Sequence, residues 1–336
     1  METKPRELRF IAKSAHEAVE RVRRELGPEA KVISVRQVTG SGLQKFLKAP
    51  RLEIIAHEFE EKSGPELVPE RAMDDLSQDD SSEVSSESGS VRSITCAKLL
   101  ANAGFSPSMM ARLEGAEDWR RIQAMPVEQG LGKAIAWLHQ YRASHSNIET
   151  PNRIAFMGTP GSGKTTSLCK YLAREVFIHG HQPEVLRLEV DKPHLDNGLS
   201  LYCDVLGVSC KEDPSEVDFD SGQPVLIDLP GFSLEAEDEK SRICEALDNI
   251  GVEGRVFVLN AAYDASILQR ILGVGSEMQA NYQVLTHIDE LVDFSKLWSH
   301  LFNLSSEVLF FSNGQNVAGD IIDQPFRFLM ERTFPK

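Results

Sequence analysis

The stretch Gly158-Thr-Pro-Gly-Ser-Gly-Lys164-Thr165 decides how this chain is read. It fits the spacing G-x-x-x-x-G-K-[ST], follows the apolar run Arg153-Ile-Ala-Phe-Met157, and opens into the helical pattern TSLCKYLAREVFIHG. Glycines at that spacing let the backbone wrap a polyphosphate with successive N–H groups aimed at its oxygens, and the following helix adds the positive end of its dipole. Gly158, Thr159, Pro160, Gly161, Ser162, Gly163, Lys164, Thr165 and Thr166 therefore form a candidate nucleotide cradle. Lys164 is expected to reach the β- and γ-phosphates. The Thr165 hydroxyl is expected to ligate Mg²⁺, a hard cation held by few protein oxygens beside nucleotide phosphates.

Downstream, PVLIDL, GRVFVLNA, YQVLTH and EVLFFS, together with RIAFMG and EVLRLEV, are short apolar runs alternating with helical patterns. That texture predicts a parallel α/β sheet whose working edge lies at the carboxyl ends of its strands. Asp228 and Gly231 in IDLPG give D-x-x-G at one such end, where a carboxylate supports a metal's water shell and a glycine N–H senses a γ-phosphate. Thr286 and Asp289 in LTHID stand at another. A carboxylate there accepts from both N1–H and N2–H₂ of guanine, a donor pair absent from adenine. His287 occupies the place where GTP-binding proteins usually carry lysine.

The 336 residues predict more than one folding unit, and a charge of −15 argues against a general nucleic-acid coat. The charge falls in three regimes. Residues 1–56 hold 12 Lys/Arg against 7 Asp/Glu, 57–90 hold 2 against 11, and 91–336 hold 22 against 33. The first regime reads as a small basic βαββ unit: ELRFIAK, then a helix with Ala15, Ala18, Val19, Val22 and Leu26 on one face behind a Ser14/Glu17 capping box, then KVISVRQV and RLEIIAHEF. Its loop at residues 39–51, with Lys45, Lys48 and Arg51, reads as a hairpin connection that an anionic lipid surface could also engage. Residues 57–90, rich in Ser, Glu and Asp, read as an acidic disordered linker. Residues 91–150 show helical spacing, a Ser106-Pro107 start and a core of Trp119, Trp137, Met109 and Met110. Residues 151–336 form the nucleotide domain. His179 and His181 read as a surface loop, and the acidic run from Glu235 as a helix start. Five cysteines without a C-x-x-C pair read as buried thiols, and the apolar runs are too short for a membrane span.

GTPGSGKTT, LEVDKPH, DVLGV, IDLPG, LTHIDE and FSNGQNVAGDI, in that order, resemble the signal-recognition-particle-type GTPases, and among them the flagellar FlhF family. The resemblance implies a P-loop G domain behind a helical bundle, with the βαββ start marking the flagellar branch. It implies GTP and Mg²⁺ as ligands, Asp191 with Lys164 as catalytic residues, and Thr165, Asp191 and Asp228 around the metal. It also implies Gly314 and Gln315 in a loop covering the base. Expected partners are a second copy in a GTP-dependent homodimer, an FlhG-like ATPase and flagellar basal-body components. The expected location is the cytoplasm, peripherally at the inner face of the membrane at the cell pole, in the placement and biosynthesis of flagella.

Two departures bear on chemistry. The family's switch reads D-T-x-R, whereas this chain reads Asp191-Lys192-Pro193-His194, and Phe232 replaces the arginine that follows the D-x-x-G glycine. A positioned arginine contributes on the order of 10³–10⁵ to phosphoryl transfer. Hydrolysis is therefore expected to be slow or dependent on a partner. The competing readings are a nucleotide-binding scaffold that does not hydrolyse and acts through residues 1–150, and a P-loop ATPase.

Overall fold

The computed structural model describes residues 7–12, 15–27, 30–38, 51–57, 95–145, 151–190, 198–303, 305–317 and 319–334. The Ser14 cap, the basic loop at 39–50, residues 58–94 (all of the acidic linker but His57, which ends a strand) and the switch segment 191–197 lie outside the described residues.

The amino-terminal unit runs β1 (Glu7–Ala12), α1 (Ala15–Leu26), β2 (Lys31–Val38) and β3 (Arg51–His57). The three strands form an antiparallel sheet in the order β1-β3-β2. Alternation along β1 buries Phe10 and Ala12 and leaves Arg9 and Ile11 exposed. The buried side meets Ala18, Val22 and Leu26 of α1 and Ile54 and Ala56 of β3.

Four helices follow: α2 (Cys96–Asn102), α3 (Pro107–Glu114), α4 (Trp119–Ala124) and α5 (Val127–His145). The Ser106 hydroxyl caps α3 by accepting from Met109 N–H at 3.3 Å, with Pro107 at the first turn as the sequence indicates. Trp119 and Met109 are buried, but Trp137 and Met110 are only half-buried. Trp137 stacks on Tyr141, with ring centroids 5.1 Å apart. The bundle core of Leu100, Phe105, Leu113, Ile122 and Leu138 is continuous with Trp298, Phe311, Phe326 and Leu329 of the next domain, so the helical unit buries its apolar side against that domain.

That domain contains β4 (Arg153–Met157), α6 (Lys164–Arg174), β5 (Glu184–Arg187), α7 (Gly198–Leu206), β6 (Cys210–Lys211), β7 (Val225–Asp228), α8 (Glu237–Ile250), β8 (Gly254–Asn260), α9 (Ala265–Glu277), β9 (Tyr282–Thr286), α10 (Trp298–Leu301), β10 (Glu307–Ser312), β11 (Ile321–Ile322) and α11 (Pro325–Thr333). Its eight strands lie in the order β11-β10-β9-β8-β4-β7-β5-β6. All neighbours are parallel except the short β11. Ile154 and Phe156 of β4 face the layer of α6 and α7. Ala155 and Met157 face α8 and α9, where Ile243, Leu247, Leu268 and Ile271 complete the core. A strand buried on both faces explains why these runs are apolar without alternation.

All six anticipated strands form. The two-residue strands β6 and β11 were not anticipated, and α6 passes into a π-helical turn, Glu175–His179, at a place read as continuous helix. His181 is exposed as expected, and its Nδ1 lies 2.7 Å from Oε2 of the buried Glu175.

Candidate nucleotide site

The cradle sits on the central strand. After β4 the chain turns through Gly158–Gly163 and enters α6, with Ser162 N–H donating to the Thr159 carbonyl at 3.2 Å and Ser167 N–H to the Gly163 carbonyl at 2.8 Å. Gly163 caps α6 with φ +88°, and a Cβ there would lie 3.2 Å from Thr286 Cγ2. Both the conformation and the space favour glycine. Lys164 is 8% exposed and its Nζ donates to the Thr159 carbonyl at 3.1 Å. Burial pushes its pKa down, opposed by the nearby Asp228 carboxylate. An ammonium folded back onto its own loop, in a poorly hydrated place, is suited to turn outward onto an anion.

Asp228, 2% exposed at the end of β7, accepts from the Thr165 hydroxyl at 3.0 Å. The hydroxyl and carboxylate read as metal ligands are thus brought together across the β4/β7 boundary. Gly231 packs so tightly on the cradle that a Cβ would fall 2.8 Å from Pro160 N. The D-x-x-G loop and the cradle therefore touch through backbone.

A cleft of about 680 Å³ opens beside them. Gly161, Gly163, Thr165 and Thr166 line it from the cradle, Thr286, His287, Asp289 and Glu290 from the loop after β9, and Ser312, Gly314, Gln315 and Val317 from the loop after β10. A cavity of this size suits a nucleotide-sized ligand. Thr286 also braces the loops: its hydroxyl is 2.8 Å from the Ser162 carbonyl, 3.1 Å from the Leu259 carbonyl and 2.8 Å from His287 Nδ1. One O–H serves only one carbonyl at a time, while a protonated Nδ1 donates to the oxygen. His287 is held at φ +57° beside that hydroxyl.

The residues present fit Mg²⁺ and a nucleotide triphosphate. Hard oxygen donors, Thr165 and Asp228, face one another, Lys164 is held next to the phosphate cradle, and the fully buried Ser162 hydroxyl has no hydrogen-bond partner among the described residues. When bound, the metal would neutralise phosphate charge. Asp191 lies outside the described residues. Phe232 points away from the cleft: it is fully buried and meets Phe257 edge-on at 6.0 Å.

Several wall residues escape the sequence reading: Gly198, Glu290, Ser312 and Val317 beside the site loops, and three on the helical side. Leu199 and Tyr202 of α7 line the cleft because the segment beyond residue 197 folds back over α6, and Cys169 joins them from α6. Only their place within an apolar helical run could have marked them.

Known proteins share this architecture. Over 356 residues the chain is 21% identical to the flagellar biosynthesis protein FlhF of Bacillus subtilis (strain 168), spanning 93% of this chain and 95% of that one. The chain is FlhF-like. No family model matches it. A crystal structure of FlhF complexed with GTP/Mg(2+) superposes with TM-score 0.59 at 20% identity, covering 71% of this chain and 97% of that one. Chloroplast FtsY from Physcomitrella patens superposes with TM-score 0.58 at 15% identity, covering 71% and 86%. The FlhF-like chain therefore has the fold of signal-recognition-particle-type GTPases, as its motif order implies.

Proposed function

We propose that this FlhF-like chain is a signal-recognition-particle-type switch that binds Mg²⁺·GTP and acts in flagellar biosynthesis. The carrying observation is the convergence on one cleft of the Gly158–Thr166 cradle, the Thr165–Asp228 pair and Asp289, under the loop bearing Gly314 and Gln315. Relatives resolved with GTP/Mg(2+) and GMPPNP/Mg(2+) support the ligand assignment. In this reading the cradle amides and Lys164 hold the triphosphate, and Thr165, Asp191 and Asp228 surround the metal. The Asp289 carboxylate reads the guanine edge, and Gly231 N–H senses the γ-phosphate through its contact with Pro160. The output is conformational: the ordered loops create a face for a second copy or a flagellar partner, an FlhG-like ATPase or basal-body components. The protein works in the cytoplasm and peripherally at the membrane. Among the described residues, no helix is long and apolar enough to cross one.

Hydrolysis is slow in isolation because the position after Gly231 contributes a core phenylalanine and no cation. The same observation favours a second reading, a nucleotide-holding scaffold that never hydrolyses. Single-turnover phosphate release from GTP, measured with the purified chain alone and with a flagellar partner, separates them. Release accelerated by the partner supports the switch, and release no faster than in buffer under both conditions removes it in favour of the scaffold.

A further inference from the structure

Among the described residues, Lys170 is the most deeply buried ammonium of the nucleotide domain, 1% exposed in the middle of α6. Its Nζ donates to Ser312 Oγ at 2.8 Å, to the Gly314 carbonyl at 2.8 Å and to the Asp320 carbonyl at 2.7 Å. All three acceptors belong to the end of β10 and the loop after it, and all three donors of the ammonium are used. That loop is also tied to itself. Asn313 N–H donates to the Asp320 carbonyl at 2.9 Å, Asp320 N–H to the Asn316 carbonyl at 3.0 Å, and Asn316 N–H to Asp320 Oδ2 at 2.7 Å. The loop is thus a small closed ring, and Lys170 is the pin fixing the ring to the helix that begins at the phosphate cradle. Ser312, Gly314, Gln315 and Val317 of the ring line the cleft wall facing Asp289.

We propose that Lys170 is the positioning residue of the base-covering loop: by binding three oxygens of residues 312–320 it holds that loop closed against α6 and so sets how long a nucleotide stays in the cleft. The loop-pinning half stands on the hydrogen bonds alone, and the residence-time half rests on the nucleotide-binding reading. Charge-assisted hydrogen bonds are about twice as strong as neutral ones, and an ammonium with every donor filled has no comparable arrangement to move to while the loop stays shut. The groups facing it are Asp320 from the loop and Asp289 from the turn after β9. Both favour its charged form, while burial lowers its pKa to about 8.

The test uses the full chain with two variants, Lys170→Met and Ser312→Ala. The second removes one acceptor without emptying the buried site and keeps the test decisive should the first fail to fold. Amide hydrogen exchange in nucleotide-free protein is expected to show protection at Asn313, Asn316 and Asp320 falling about tenfold or more in Lys170→Met and severalfold in Ser312→Ala. Protection in β4 and β8 stays unchanged, which a general loss of stability would not produce. Release of fluorescently labelled GTP is expected to quicken in the same order. Unchanged loop protection in both variants overturns the proposal, as does loss of protection spread evenly over the sheet. If no form takes up GTP while loop protection still follows Lys170, the pin is confirmed and the nucleotide reading is what fails.

Discussion

Phe232 stands directly after the D-x-x-G glycine, where the motif reading expects arginine, and its fully buried ring meets Phe257 of β8 edge-on. Restoring the arginine is therefore expected to damage the protein without restoring catalysis. A guanidinium forced into that core is an unpaired buried charge, costing about 3–5 kcal/mol. Phe232→Arg should lower the urea midpoint by that equivalent while single-turnover phosphate release stays at the level of the natural chain, and a faster release would show that the side chain reaches the cleft. Asp289 supports the opposite kind of experiment. Its carboxylate is assigned the two donors on the guanine edge, and xanthine presents an acceptor where guanine presents N2–H₂. Asp289→Asn should weaken GTP binding by about 10²-fold, the loss of charge-assisted bonds worth about 1.5–3 kcal/mol each, and should gain affinity for xanthosine triphosphate. Competition against labelled nucleotide reads both changes, and equal losses for both bases would remove Asp289 from base recognition.

At the scale of elements, β9 and α10 share a polar contact inside an apolar layer. His300 Nδ1 lies 2.9 Å from Gln283 Oε1, and Gln283 Nε2 donates to Ser306 Oγ at 2.6 Å. Burial, with a smaller contribution from Lys296, lowers the His300 pKa from 6.5 to about 4. The unfolded chain takes up the proton near 6.5 and the folded one only near 4. The stability contributed by the neutral ring is therefore complete above 6.5 and is lost as pH falls through about 4, at no more than about 1.4 kcal/mol per pH unit. Urea unfolding at pH 7, 5.5 and 4.5 should show that slope, and His300→Gln should flatten it; a natural chain equally stable at all three would contradict the assignment. Elements such as this explain what the sequence discloses. The cradle, the D-x-x-G turn and the six long strands are legible because each is a local pattern whose geometry is set within about ten residues. Lys170 is not legible, because its partners lie 142 to 150 residues further on and only the folded sheet brings them near. The strands β6 and β11 are too short for periodicity to register. Trp137 and Met110, core residues by helical spacing, are only half-buried, and Trp137 stacks on Tyr141 of the same helix.

At the scale of the whole molecule, the eight-stranded sheet brings the cradle and the loops after β9 and β10 around one cleft. A ligand that binds only the folded state stabilises it by mass action, about 2.7 kcal/mol at a hundredfold excess over Kd. For a domain of this size that raises the melting midpoint by roughly 5–10 °C. The gain should require both Mg²⁺ and GTP, and Thr165→Ala or Asp228→Asn should abolish its metal-dependent part, as scanning calorimetry would show. The most direct measurement is a calorimetric titration of the purified chain with GTP, GDP and ATP, with and without Mg²⁺. One GTP per chain, tightened by the metal and not displaced by a large excess of ATP, is the predicted result. Absence of any nucleotide uptake, or ATP binding as tightly as GTP, would contradict the account.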